Sequence, residues 1–294
     1  MENTEAANLP SAFIWRRIHS LAGIWISIYL IMHLLTNSQA SLLIGNDGAG
    51  FIHSVNSIHQ LPYLILIEVL IVAIPILIHT IWGINYALKA KYNSFYRNEK
   101  ESYLPYSRNK AYTWQRITSW FLAVALSFHI IHMRFIEYPT SASNNQYETN
   151  FMVRVNEDPG LNSLSKRLHV QLYDLEQIKN LKNSDYSEKW LEAIQKRTLS
   201  NDQFIAVAKD FGTAELLMVR ETFKNIPMMI FYTLFVLAAA FHGFNGLWTF
   251  LITWGISPVA VQKKTLRFSQ AMMVLVALMG LSTIWLTYWV NLKS

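Results

Sequence analysis

The sequence predicts an all-α protein, an integral membrane bundle of five transmembrane helices with an extracytoplasmic helical insertion. Three observations predict it. Of 294 residues, 52% are hydrophobic and only 15% charged, against about 25% charged in a soluble domain. The apolar residues gather into five stretches of about 20 residues, the length that crosses a hydrocarbon core as helix. Between the third and fourth stretches lies a polar segment, 135–225, in which Leu, Ile, Val and Phe recur at helical spacing.

The spans are 17–37, 62–88, 113–134, 226–253 and 268–290. The first opens after Arg16-Arg17 and fades at Thr36-Asn37-Ser38. Pro75 inside the second predicts a kink, because neighbouring helices re-satisfy the carbonyl that proline frees. Trp15, Trp114, Trp254 and Trp289 stand near span ends as interfacial anchors. Three stretches follow: membrane helices in 1–134, the insertion 135–225, and membrane helices in 226–294. Within the insertion, helical patterns run near 162–181, 187–198 and 201–222, with Asn201-Asp202 as the expected N-cap of the last.

Orientation comes from the short loops. Segment 38–61 carries no Lys or Arg, whereas 89–116 carries Lys89, Lys91, Arg97, Lys100, Arg108, Lys110 and Arg116. Loop 255–267 adds Lys263, Lys264 and Arg267. The positive-inside rule puts the N-terminus and these loops in the cytoplasm, with the insertion and the C-terminus outside. The net charge of +6 fits this topology better than a nucleic-acid partner. Residues 1–11, with Glu2 and Glu5, lack the basic start and cleavage site of a signal peptide. The chain has no cysteine, which excludes disulfides, thiolate ligation, cysteine-held clusters and covalent haem attachment.

Histidines carry the chemistry. An imidazole at membrane depth is costly without a partner and marks a functional candidate. The competing reading of any one of them is a helix–helix hydrogen bond. Axial rise gives their depths. His33 lies about 24 Å from the inner face and His129 about 20 Å, both toward the outside. His79 lies about 15 Å from the inside, and His242 about 27 Å from the outside. Four helices therefore supply two pairs, His33 with His129 and His79 with His242. Two histidines at one depth on different helices can take both axial positions of a haem iron. His132, one turn after His129 on the same face, competes for the outer position or contacts a propionate or a quinone. His19, beside Arg16 and Arg17, either neutralises haem propionates or meets lipid phosphate. His53 and His59 in the outer loop are solvated or line a quinone pocket, and His169 lies on the insertion's surface. Glu68 stands two turns into the second span, suited either to proton exchange at an outer quinone or to a helix–helix hydrogen bond.

Arg16-Arg17-Ile18-His19-Ser20-Leu21, Gln115-Arg116-Ile117-Thr118 and Phe241-His242-Gly243-Phe244-Asn245-Gly246-Leu247-Trp248 resemble the membrane anchor of bacterial dihaem succinate dehydrogenases, the five-helix cytochrome b558 family. Thr253-Trp254-Gly255-Ile256 and the Pro75, His79, Gly83 spacing resemble it too, and the likeness covers about 12–134 and 226–290. The resemblance implies a bacterial cytoplasmic membrane and two non-covalent haem b groups. The four ligands it implies are His33, His79, His129 and His242, with Arg16, Arg17, His19 and Arg116 toward propionates. It also implies flavoprotein and iron–sulfur partners on the cytoplasmic face. Electrons would pass from the inner haem to the outer one and on to menaquinone, beside Glu68, Asn37, His53, His59 or His132. Dicarboxylate chemistry would lie wholly in the partners. Related fumarate reductases carry a glutamate two residues before the last ligand for a proton path; here that residue is Ala240, after Ala238 and Ala239, and the path is absent. The insertion exceeds the family's usual loop and is a candidate roof for the outer quinone site. Two rivals remain: the same complex run as a fumarate reductase, and a haem-free proton-coupled transporter relaying through His79, His242 and Glu68.

Overall fold

The computed structural model describes residues 10–41, 46–95, 102–143, 148–181 and 186–291. Glu2, Glu5, Arg97 and Lys100 lie outside the described residues. Among the described residues five helices are long and apolar enough to cross a membrane: α1 within Ser11–Ser41, α3 (Leu64–Leu88), α4 (Ser107–Ile136), α9 (Ile226–Thr253) and α10 within Val259–Trp289. The regular α1 is Ser11–Ser38 and the regular α10 Gln262–Leu286. At 1.5 Å per residue α1 extends about 42 Å, more than the hydrocarbon core. Large apolar side chains point outward, such as Ile65 at 72% and Val124 at 73% exposure. That pattern suits lipid rather than water as the surrounding solvent.

Pro75 leaves its helix continuous. A wide π-helical turn, Val69–Ala73, precedes it, and the regular helix resumes at Ile74. Proline has no N–H for the carbonyl four residues back. That carbonyl belongs to Ile71, and the indole Nε1 of Trp25 donates to it at 2.7 Å. The turn after α9 is made by Gly255, whose φ of 74° is the left-handed conformation that ends helices. Ser257 N–H then closes on the Leu251 carbonyl at 2.9 Å.

The chain forms two compact units, Met1–Ile31 with Ile65–Val124 and Ala238–Leu275, and Met32–Leu64 with Ala125–Leu237 and Val276–Ser294. The five membrane helices are each cut by this division. His19, His79 and His242 fall in the first unit, and His33, His53, His59, His129 and His132 in the second.

The segment 135–225 differs from the helical reading. It is mixed, with strands β1 (Thr140–Ser143), β2 (Thr149–Asn156), β3 (Gln171–Tyr173) and β4 (Gln203–Ala208) in one antiparallel sheet of order β1-β2-β4-β3. Its helices are α5 (Leu161–Arg167), α6 (Leu175–Lys179), α7 (Glu188–Gln195) and α8 (Phe211–Thr222). The pattern near 187–198 is α7, capped by Ser187. The one near 162–181 breaks at His169, whose φ of 54° ends α5, and restarts at the capping box of Asp174 and Gln177. The one near 201–222 is β4 followed by α8. The N-cap is Asp210, accepting from Thr213 N–H at 2.9 Å, rather than Asn201-Asp202. Both faces of β4 are buried. Ala206 and Ala208 enter one core with Val153 and Leu217; Ile205 and Val207 enter another with Trp190 and Ile194. A strand covered on both faces shows no alternation and reads like a helical run.

Part of the loop expected between the first two spans folds as α2 (Ala49–His59). Asn56 ties it to α8, donating from Nδ2 to Asp210 at 2.7 Å and accepting from Gly212 N–H at 2.7 Å.

Candidate functional site

In the first unit, His79 on α3 and His242 on α9 face each other with ring centres 6.1 Å apart and planes at 85°. The Nδ1 of His79 donates to the His19 carbonyl at 3.0 Å. The Nδ1 of His242 donates to the Gln115 carbonyl at 3.2 Å, beside the Thr118 hydroxyl. Both carbonyls belong to segments that the sequence motifs marked. A proton fixed on Nδ1 leaves the lone pair on Nε2, the arrangement of a metal-ligating imidazole. Gly23, one turn beyond His19, permits the approach: a Cβ there would stand 2.8 Å from Cε1 and 3.1 Å from Nδ1 of His79. Gly23→Ala is therefore expected to push the His79 ring off the His19 carbonyl and weaken cofactor binding at this pair while leaving His33 and His129 unaffected. Absorbance per mole of purified protein reads this, and unchanged occupancy refutes it.

In the second unit, His33 on α1 and His129 on α4 have ring centres 6.0 Å apart and planes at 75°. The His129 Nδ1 meets the Tyr232 hydroxyl at 3.2 Å, and its ring lies against Phe235. An imidazole–metal bond of about 2 Å plus about 1 Å from nitrogen to ring centre, taken twice, gives about 6 Å for two imidazoles on one metal. Both pairs have that separation, so the residues fit a bis-histidine haem at each.

His132 has contacts of its own, though it lies within electrostatic reach of His129. Its ring stacks on Phe128 and its Nδ1 faces Met133 Sδ at 3.3 Å. It lines a chamber of about 370 Å³ with Glu137, Arg154, Met218, Glu221 and Lys224. The charges there are paired, Arg154 with Glu137 at 3.2 Å and Lys224 with Glu221 at 2.6 Å. Glu215, one turn before Met218 on α8, was missed in the sequence. Burial pushes its carboxyl up to about 8, against the opposing pull of the Arg134 guanidinium.

His19 stacks face to face on His79 at 4.1 Å and meets Tyr86 edge-on, closer to the histidine pair than the helix edge its position suggested. Arg17 donates to the Thr253 carbonyl at 2.7 Å and lies over Trp254, while Arg16 is exposed. Arg116 donates to the Lys91 carbonyl at 3.0 Å. Asn37 turns back on its own helix, donating to the His33 carbonyl at 2.8 Å. Glu68 lies within electrostatic reach of Tyr29. It is eleven residues from His79 along α3, about 16 Å of helix. His53 is exposed. His59 is not a solvated loop residue; it stacks on Phe211 at 3.9 Å and meets Phe151 edge-on.

The chain is similar to the succinate dehydrogenase cytochrome b558 subunit of Bacillus subtilis (strain 168), with 23% identity over 246 residues, covering 83% of this chain and 81% of that one. No protein-family model and no solved structure matches it. The resemblance read from the histidine motifs is borne out: this chain is a relative of the cytochrome b558 subunit of succinate dehydrogenase.

Proposed function

We propose that the chain is the dihaem b membrane-anchor subunit of a succinate:menaquinone oxidoreductase. The observation that carries this is the pair of histidine couples, each at the ring spacing of two imidazoles on one metal. The relative's name supports the complex. When bound, the haems supply one-electron transfer between an iron–sulfur partner and menaquinone. His79 and His242 hold the inner group and His33 and His129 the outer one. The His19 and Gln115 carbonyls orient the inner ligands, and Tyr232 orients His129. Arg16, Arg17 and Arg116 supply positive charge at the inner end, where flavoprotein and iron–sulfur subunits dock on the cytoplasmic face. The stretch 135–225 stands outside between the membrane segments 1–134 and 226–294. Its chamber beside His132 offers a polar space from which an outer menaquinone would take protons, with Glu68, Asn37, His53 and His59 as further candidates. The transporter reading is disfavoured by the 16 Å of helix between Glu68 and His79, about five times a hydrogen-bond length.

Purified chain is expected to show a low-spin bis-histidine haem b spectrum with two haems per chain. A preparation that folds with excess haem and yields no such chromophore refutes the proposal and returns the transporter reading.

A further inference from the structure

Two of the sequence motifs meet in the first unit, and the side chains of Gln115 and Asn245 in them have no part in the haem reading so far. Gln115 and Thr118 lie three residues apart on α4, and His242 and Asn245 three apart on α9, so each pair shares a helix face. The two faces exchange hydrogen bonds. The Gln115 Nε2 donates to the His242 carbonyl at 2.9 Å, and the His242 Nδ1 donates to the Gln115 carbonyl at 3.2 Å. Each side chain therefore reaches the other residue's backbone and closes a ring between two helices. The Asn245 Nδ2 braces it, donating to the Gln115 Oε1 at 2.7 Å. The amide orientation follows from the partners. A carbonyl only accepts, so the Gln115 nitrogen faces His242 and its oxygen faces Asn245.

A single interhelical bond would suffice to hold α4 against α9. The closed ring does more, because its second bond starts on an imidazole. A carbonyl has two lone pairs, so one within a helix can accept a second donor. The Gln115 carbonyl can serve Nδ1 only while α9 keeps its height and rotation, and the Gln115 amide fixes both from the His242 backbone. Thr118 competes at the same place. Its hydroxyl donates to the Gln115 carbonyl at 3.1 Å and lies 3.3 Å from the His242 Nδ1. We infer that the Gln115 side chain, braced by Asn245, is a positioning residue for the inner haem: it keeps the His242 ring on the Gln115 carbonyl and so leaves Nε2 for the haem. An acceptor on Nδ1 also raises the basicity of a ligating imidazole, which tunes the metal. This role rests on the haem reading. It is confined to the inner couple, since His129 has the Tyr232 hydroxyl as its partner instead.

The test uses the purified full chain with its haem, in detergent. Gln115→Leu removes both side-chain bonds. Haem loss to excess apomyoglobin should become about tenfold faster at one centre, the lower end of what a lost outer-shell partner costs. The midpoint potential of that centre should move upward, because a less basic imidazole stabilises the oxidised iron less. It should be the centre that His242→Ala removes. The centre that His129→Ala removes should keep its midpoint and its haem. Asn245→Ala leaves the amide without its brace and should shift the same centre in the same direction by less. The two changes together should shift it no further than Gln115→Leu, because both break one device. Thr249→Val, one turn beyond Asn245 and bonded through its hydroxyl to its own helix, should shift neither centre. Thermal unfolding in the same detergent checks that each variant folds, and Asn245→Ala remains the readout if Gln115→Leu does not. Unshifted midpoints in Gln115→Leu and Asn245→Ala, equal shifts at both centres, an additive double variant, or an equal shift in Thr249→Val would each overturn this role while two wild-type centres leave the haem reading standing. A wild-type chain without the chromophore would overturn both.

Discussion

Replacing His79 or His242 by alanine is expected to remove one of two titrating haem b centres, and replacing His33 or His129 the other. The pairing predicts which losses coincide. Within a couple either substitution removes an axial position, so both give the same missing centre. Between couples the losses are separate, because no histidine serves both. His132→Ala is the decisive control. It lies one turn from His129, yet its ring stacks on Phe128 and its Nδ1 faces Met133 rather than His33. It should leave both centres in place. A redox titration of each purified variant reads this. His129→Met separates ligation from folding: methionine is itself a haem ligand that raises the potential. This variant should keep two centres with one shifted upward, while His132→Met shifts neither. Loss of a centre in His132→Ala with retention in His129→Ala would transfer the ligand to His132, and loss of both centres in every variant would dissolve the couples.

The membrane part was legible because its signal is redundant. Apolar runs of that length leave few alternatives to a spanning helix, and the five spans expected from them match the five candidate membrane helices. The histidine couples were legible because axial rise turns sequence distance into depth along a straight helix. Lateral packing was not. His19 counted from the helix start belongs at an edge, but the ring of His79 settles over Gly23 and stacks on it. His59 looked solvated because its loop is polar. Its partners, Phe151 and Phe211, come from far along the chain and from no local pattern. The sheet was hidden for a related reason. The β2 and β4 strands are covered on both faces, so the alternation that announces a half-buried strand is missing.

Arg220→Leu is expected to destabilise the 135–225 segment by about 3–5 kcal/mol, the usual consequence of removing one partner of a buried ion pair. Arg220 side chain is 1% exposed and that of Asp158 5%. Two guanidinium nitrogens reach the two carboxylate oxygens at 2.6 Å each, and Lys224 adds a contact at 2.8 Å. The guanidinium also lies 5.0 Å from the Tyr288 ring centre, so one side chain ties the segment to the end of the last membrane helix. Burial alone would raise the Asp158 carboxyl; hydrogen bonds from Arg220 and Lys224 outweigh it and hold the group down at about 2. A depressed carboxyl contributes stability that is fully present above the ordinary value of about 4. That contribution is lost as pH falls toward 2. Protease cleavage within 135–225 on the full chain in detergent should accelerate in Arg220→Leu at neutral pH. In the wild type it should accelerate only below about pH 4. Asp158→Leu combined with Arg220→Leu should recover much of the loss, since an apolar pair leaves no stranded charge. A single variant as resistant as the wild type, or a double variant as fragile as the sum of its parts, would show that the pair does not hold the segment together.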